Sequence, residues 1–176
     1  SINIHGYDAA KHGAISLGGY AARKWEHTRY AEPFMREDLN DYGILIDTLE
    51  AGVTWDRLHR LHEGVRAFVK SRPDTMCMTH ASHFYPQGTN LYFIFIARMD
   101  VEEYVTFQNG IIDQIIKYGG TLSHHHGVGR MLGPWVEDHL GQEQMAVLRA
   151  LKRHFDPHNI MNPGGQLGLD TVYTRR

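Results

Sequence analysis

The run Leu91-Tyr92-Phe93-Ile94-Phe95-Ile96 constrains the fold of this chain more than any other stretch. It is nearly continuous in apolar and aromatic residues, the pattern of a central strand covered on both faces. Its neighbours fall into a definite order. Tyr42–Leu49 is a strand rich in Ile and Leu that closes near Gly52. Thr54 caps a helix carrying Trp55, Leu58, Leu61, Val65 and Phe68 at three-to-four-residue spacing, and Arg72-Pro73 stops it. Thr75–Phe84 is a second strand, Pro86-Gln87-Gly88 a turn, and Asn90–Arg98 the third strand. Asp100 and Glu103 form a capping box for a second helix with an Ile/Val stripe through Ile116, ended by Gly119-Gly120. Thr121–His124 suits a short fourth strand. The order β-α-β-β-α-β predicts an α+β fold, a ferredoxin-like antiparallel sheet with helices on one face.

The flanks are plainer. Glycines at 6, 13, 18 and 19 break any period at the start, Tyr20–Tyr30 reads as a helix, and Arg29–Phe34 as a connection because Pro33 disfavours helix at Glu32. Trp135–Phe155 reads as helical with a break near Gly141, followed by a turn-rich loop from Asp156 to Gly165. The expected organisation is a lead-in over 1–40, the ferredoxin-like domain over 41–130, and a C-terminal helical segment over 131–176.

A net charge of -2 leaves no electrostatic footprint for nucleic acid. The single cysteine, Cys77, excludes an internal disulfide and sits among methionines as a buried, inert thiol. The chemistry concentrates elsewhere. Ser123-His124-His125-His126-Gly127-Val128-Gly129 groups three imidazoles, which exchange protons near neutral pH, with glycines that let a ligand approach the backbone. In extended chain His124 and His126 share a face and His125 points away; only a turn lets all three converge. The hairpin around Thr79–Tyr92 is dense in polar groups, and Tyr92 is a strand phenol needing a partner. Arg36 suits capture of phosphate or carboxylate, though beside Glu37 and Asp38 it also reads as a surface pair. His59 and His62 read as a solvated helix face. No Cys-x-x-Cys or His-Glu-x-x-His spacing occurs, so no metal site is assigned. Spacing alone does not establish one joining His80 or His83 to His125 or His126.

These residues resemble a known family. The triplet with Gly119-Gly120-Thr121-Leu122 before it, Thr54-Trp55-Asp56-Arg57, the aromatic strand, and Phe155-Asp156-Pro157 with Asn159-Ile160 are similar to the alkyldihydroxyacetonephosphate synthases of the vanillyl-alcohol oxidase flavoprotein superfamily. The resemblance covers roughly residues 20–165 and makes the ferredoxin-like domain over 41–130 a cap or substrate domain. It implies FAD as cofactor, bound mainly by an N-terminal domain expected to lie outside this chain. The chain alone is accordingly expected to bind FAD weakly and to be inactive. It implies exchange of the acyl group of acyl-dihydroxyacetone phosphate for a fatty alcohol in ether-lipid synthesis, with a flavin whose N5 traps substrate carbon. It implies catalytic roles for Tyr92, His125 and His126, substrate binding by Arg36 and His124, and cofactor contacts from His125, His126, Gly127 and Asn162. The expected partners are the FAD-binding domain of the same polypeptide, a lipid-like phosphate ester or hydroxy-acid substrate, a peripheral membrane surface and a second copy of the chain, but no nucleic acid. The expected location is cytoplasmic, with membrane association.

The sequence also departs from that family. Asn162-Pro163-Gly164 follows the common oxidase ending, and the hairpin is similar to the Gly-His-x-Gly-Asp-Gly-Asn-Leu-His stretch of flavin-dependent D-lactate and glycolate dehydrogenases. In those relatives a histidine stands at Tyr92 and a glutamate at His125. A 2-hydroxy-acid or alcohol oxidase is therefore the first alternative, and a stand-alone metal-binding module the second.

Overall fold

Three antiparallel strands form one sheet, with β1 (Ile44–Thr54) and β2 (Met76–Ser82) flanking the central β3 (Gly88–Arg98). The computed structural model describes residues 10–15, 18–30 and 32–165. The opening nine residues of the lead-in and residues 166–176 of the C-terminal segment lie outside the described residues. The chain divides into two units, residues 1–42 and 43–176. In the first, α1 (Tyr20–Thr28) and α2 (Glu32–Asn40) are short helices, and α1 buries no side chain. The expected connection at 29–34 is shorter than read. Pro33 stands in the first turn of α2, where a missing N–H costs nothing and a fixed φ helps.

In the second unit, α3 (Leu58–Ser71) and α4 (Val101–Lys117) cover one face of the sheet. Alternation places Leu91, Phe93, Phe95 and Ala97 of β3 against Leu61, Val65 and Val69 of α3 and the isoleucines of α4. The two helices make room for each other at two glycines: a Cβ on Gly64 would meet the Tyr118 ring at 2.0 Å, and one on Gly110 would meet Phe68 at 2.3 Å. Asp100 caps α4 as expected, accepting from the Glu103 amide at 2.8 Å. Thr54 does not cap α3, which begins after Arg57. Trp55 instead lies across the β2–β3 hairpin, stacked on Phe84 and donating through Nε1 to the carbonyls of Tyr85 (3.0 Å) and Pro86 (3.1 Å).

The α+β class holds, and two details differ from the sequence expectation. Among the described residues, helices cover the central strand on one face only: Tyr92, Ile94 and Ile96 are half-buried on the opposite side. Thr121–His124 forms no fourth strand. Thr121 runs beside β1, its amide donating to the Gly52 carbonyl (2.9 Å) and its Oγ1 accepting from the Gly52 amide (2.9 Å), and the chain then turns away. Beyond the turn, α5 (Gly129–Leu140) and α6 (Gln142–Phe155) meet at Gly141, whose φ of +85° favours glycine. Trp135 of α5 joins the core and donates to Asp113 of α4 at 2.7 Å. Among the described residues no helix is long and apolar enough to cross a membrane.

Candidate active site

The register of the sheet places Glu50, Tyr92 and His80 in one row across its open face, with Gly52, Asn90 and Ser82 in the next. The same alternation that buries Phe93 therefore presents Tyr92, and the one that buries Leu49 and Ala51 turns Glu50 to the same side. The Tyr92 hydroxyl lies 3.1 Å from His83 Nδ1 and 3.3 Å from His125 Nε2. His83 reaches it from a left-handed backbone conformation, φ +57°, uncommon for a non-glycine residue and often found where a side chain is aimed at a site.

One carboxylate explains why the histidine triplet is a turn. Oε1 of Glu50 accepts the backbone amides of His124 (2.8 Å), His125 (2.7 Å) and His126 (2.6 Å) and the Ser123 hydroxyl (2.9 Å). Those amides would have run the ladder of a fourth strand; they converge on a buried side chain instead. Oε2 accepts from Asn90 Nδ2 at 2.9 Å and lies 3.0 Å from His125 Nδ1. Burial alone would raise this carboxyl. The three amides and the Asn90 donor outweigh it and lower the group from an ordinary 4.5 to about 2. Glu50 is an anion at every physiological pH.

The turn brings all three imidazoles together. His125 is in ring contact with both neighbours, 5.2 Å to His124 and 4.6 Å to His126 between centroids, and His126 lies 5.7 Å from Tyr92. His124 Nδ1 is 2.9 Å from His125 Nδ1, and its Nε2 is 3.0 Å from the Tyr85 hydroxyl. His124 also lines an open cavity of about 530 Å³ with Arg57, Tyr85 and Thr121, while His126 and Glu50 line one of about 150 Å³. Gly127 has φ +80° and, its chain neighbours aside, no atom of the described residues within 4 Å of where a Cβ would stand.

Asn162 lies in the loop after α6. Asp156 organises that loop, and Arg130, four residues past His126, holds it through the Pro163 carbonyl at 3.0 Å. Arg36 stands on α2 in the first unit. Two trios, His83 with His124 and His125, and Glu50 with His125 and His126, place donor atoms within 4.8 Å, close enough to share a cation. In the second trio, Oε1 of Glu50 already carries four hydrogen bonds. Sequence reasoning did not single out Glu50 or its partner Asn90. The available signal was a carboxylate flanked directly by apolar residues, Leu49 and Ala51, in a strand whose other carboxylate is Asp47.

The sequence matches the family described as FAD linked oxidases, C-terminal domain, over residues 8–165. The chain belongs to that family. Within it, the alkyldihydroxyacetonephosphate synthase of Dictyostelium discoideum is 35% identical over 163 residues, covering 88% of this chain and 27% of the synthase. An uncharacterized FAD-linked oxidoreductase of Escherichia coli (strain K12) is 33% identical over 130 residues, covering 66% of this chain and 27% of that protein. A solved structure of alkyldihydroxyacetonephosphate synthase superposes with a TM-score of 0.56 at 31% identity, covering 80% of this chain and 24% of that one. This member of the FAD-linked oxidase C-terminal family thus spans about a quarter of the length of the relatives it matches.

Proposed function

We propose that this chain is the cap and C-terminal part of an FAD-dependent enzyme that exchanges the acyl group of acyl-dihydroxyacetone phosphate for a fatty alcohol. The observation that carries this reading is the Tyr92 hydroxyl set between His83 and His125 on an open sheet face. A phenol with imidazoles on both sides can take a proton from a substrate and pass its own on. Along the same face Ile46, Ile94, Ile96, Met76 and Met78 follow Tyr92 by register, with Thr48 among them, a largely apolar path suited to a lipid-like chain. In this reading Arg36 receives the phosphate and His124 assists in holding the substrate.

The residues at the turn suit a flat cofactor ring: exposed imidazoles offer hydrogen bonds, and the open space at Gly127 admits close approach. His125, His126, Gly127 and Asn162 would hold FAD, with the rest supplied by an FAD-binding domain of the same polypeptide. When bound, FAD supplies an electrophilic isoalloxazine. The chain alone would bind it weakly and be inactive. A cytoplasmic location, a peripheral membrane surface and a homodimer belong to the same proposal. The test is an assay of the full-length protein with acyl-dihydroxyacetone phosphate and a long-chain alcohol. Release of fatty acid with ether formation supports the reading. Flavin reduction by a 2-hydroxy acid with no ether product sinks it in favour of an oxidase, the second reading.

A further inference from the structure

We infer that Glu50 is a positioning residue that sets the direction of proton movement through Tyr92, an inference that rests on the catalytic reading of Tyr92 and His125. An ionised carboxylate only accepts, and His125 Nδ1 lies 3.0 Å from Oε2 of Glu50. A bare imidazole lone pair facing a buried anion at that distance would be repelled, so Nδ1 carries the proton. That one proton is shared: His124 Nδ1, 2.9 Å from the same atom, is its second acceptor. His124 Nε2–H consequently donates to the Tyr85 oxygen. The assignment closes without a clash. It leaves His125 Nε2 unprotonated, 3.3 Å from the Tyr92 hydroxyl, which donates to it, and His83 Nδ1–H can donate to the phenol oxygen from the other side.

The arrangement is a carboxylate–imidazole–hydroxyl series of the kind that activates a serine, with a phenol in the serine's place. When a substrate C–H is broken, its electron pair stays on the substrate carbon and its proton goes to the Tyr92 oxygen. The phenol's own proton passes to His125 Nε2. The imidazolium so formed stands against the Glu50 carboxylate, and the reverse movement restores both groups. Glu50 touches no substrate atom in this scheme. It fixes the tautomer of His125, stabilises its charged form, and through Oε1 holds the backbone that carries the ring.

Glu50→Gln separates these roles in the full-length enzyme. The glutamine oxygen can still accept the three amides, but its NH₂ faces His125 Nδ1 and forces that atom to accept. His125 then carries its proton on Nε2 and confronts Tyr92 with a donor. The readout is ¹⁵N NMR of histidine-labelled protein, with His125→Gln used for assignment. The wild type is expected to hold its proton on Nδ1 and Glu50→Gln on Nε2. Turnover should fall on the order of 100-fold at nearly unchanged KM. A wild-type His125 protonated on Nε2 overturns the inference even if the variant fails to fold. So does a folded Glu50→Gln enzyme with turnover within about threefold of wild type. If the full-length protein oxidises a hydroxy acid and makes no ether, the substrate reading fails; the tautomer and the turnover ratio, measured in that assay, still judge Glu50.

Discussion

Glu50 and Asp156 do the same thing to the backbone and have different electrostatic surroundings. Each is a buried carboxylate that gathers successive amides into a turn: His124, His125 and His126 at Glu50, Ile160 and Met161 at Asp156. Each is held at about 2, Asp156 chiefly by its bond from Lys152 and Glu50 by its amides against the penalty of burial. Asp156 has a permanent cation against it in Lys152, one helical turn earlier. The contacts of Glu50 are neutral donors, apart from one imidazole. A carboxylate paired with lysine is a structural clamp whatever happens nearby. One facing a neutral histidine gains its counter-charge only when that histidine takes a proton. That difference separates a turn whose carboxylate faces a titratable imidazole from one whose carboxylate is neutralised in place.

The largest effect that sharpens this contrast is at the hydroxyl itself: Tyr92→Phe in the full-length enzyme should lower turnover by about two to four orders of magnitude. A loss under tenfold would return Tyr92 to a packing role. Next, Glu50→Ala leaves three amides and the Ser123 hydroxyl without their acceptor. Urea unfolding of this chain should show a loss of about 2–4 kcal/mol. A smaller effect appears in acid. Both carboxylates are depressed below their ordinary 4.5 and 3.8, so their stabilisation is complete above those values and fades as pH falls toward about 2. Glu50→Gln should make the fall in melting temperature between those limits shallower, and an unchanged acid limb would contradict the assignment. Smallest of all for chemistry, Asp156→Asn should lower the urea midpoint and, because its loop carries Asn162, loosen FAD retention, while turnover of the full-length enzyme at saturating FAD stays within about threefold. A larger loss would erase the distinction between the two carboxylates.

Much of the frame was legible because local signals agreed with it. The hydrophobic periods of α3 and α4, the Asp100–Glu103 cap and the apolar run of β3 each stated their element without help from distant residues. The parts that were not legible depend on partners far along the chain. Glu50 finds its three amides 74 to 76 residues away, and no local pattern announces that a carboxylate will absorb the ladder of an expected strand. His83 reads as a hairpin polar residue until its positive φ turns the ring toward Tyr92. Trp55 reads as a helix position, yet its indole pins the hairpin that carries Tyr85 and His83. The triplet itself announced a turn or a strand, and Glu50 decided between them.

A double-mutant cycle tests most directly whether Glu50, His125 and Tyr92 act as one unit. Turnover of the full-length enzyme would be measured for wild type, Glu50→Gln, Tyr92→Phe and the pair. If the carboxylate works through the phenol, Glu50→Gln adds less than about threefold once the hydroxyl is gone. If the two losses multiply in full, Glu50 acts independently of Tyr92 and the relay is wrong.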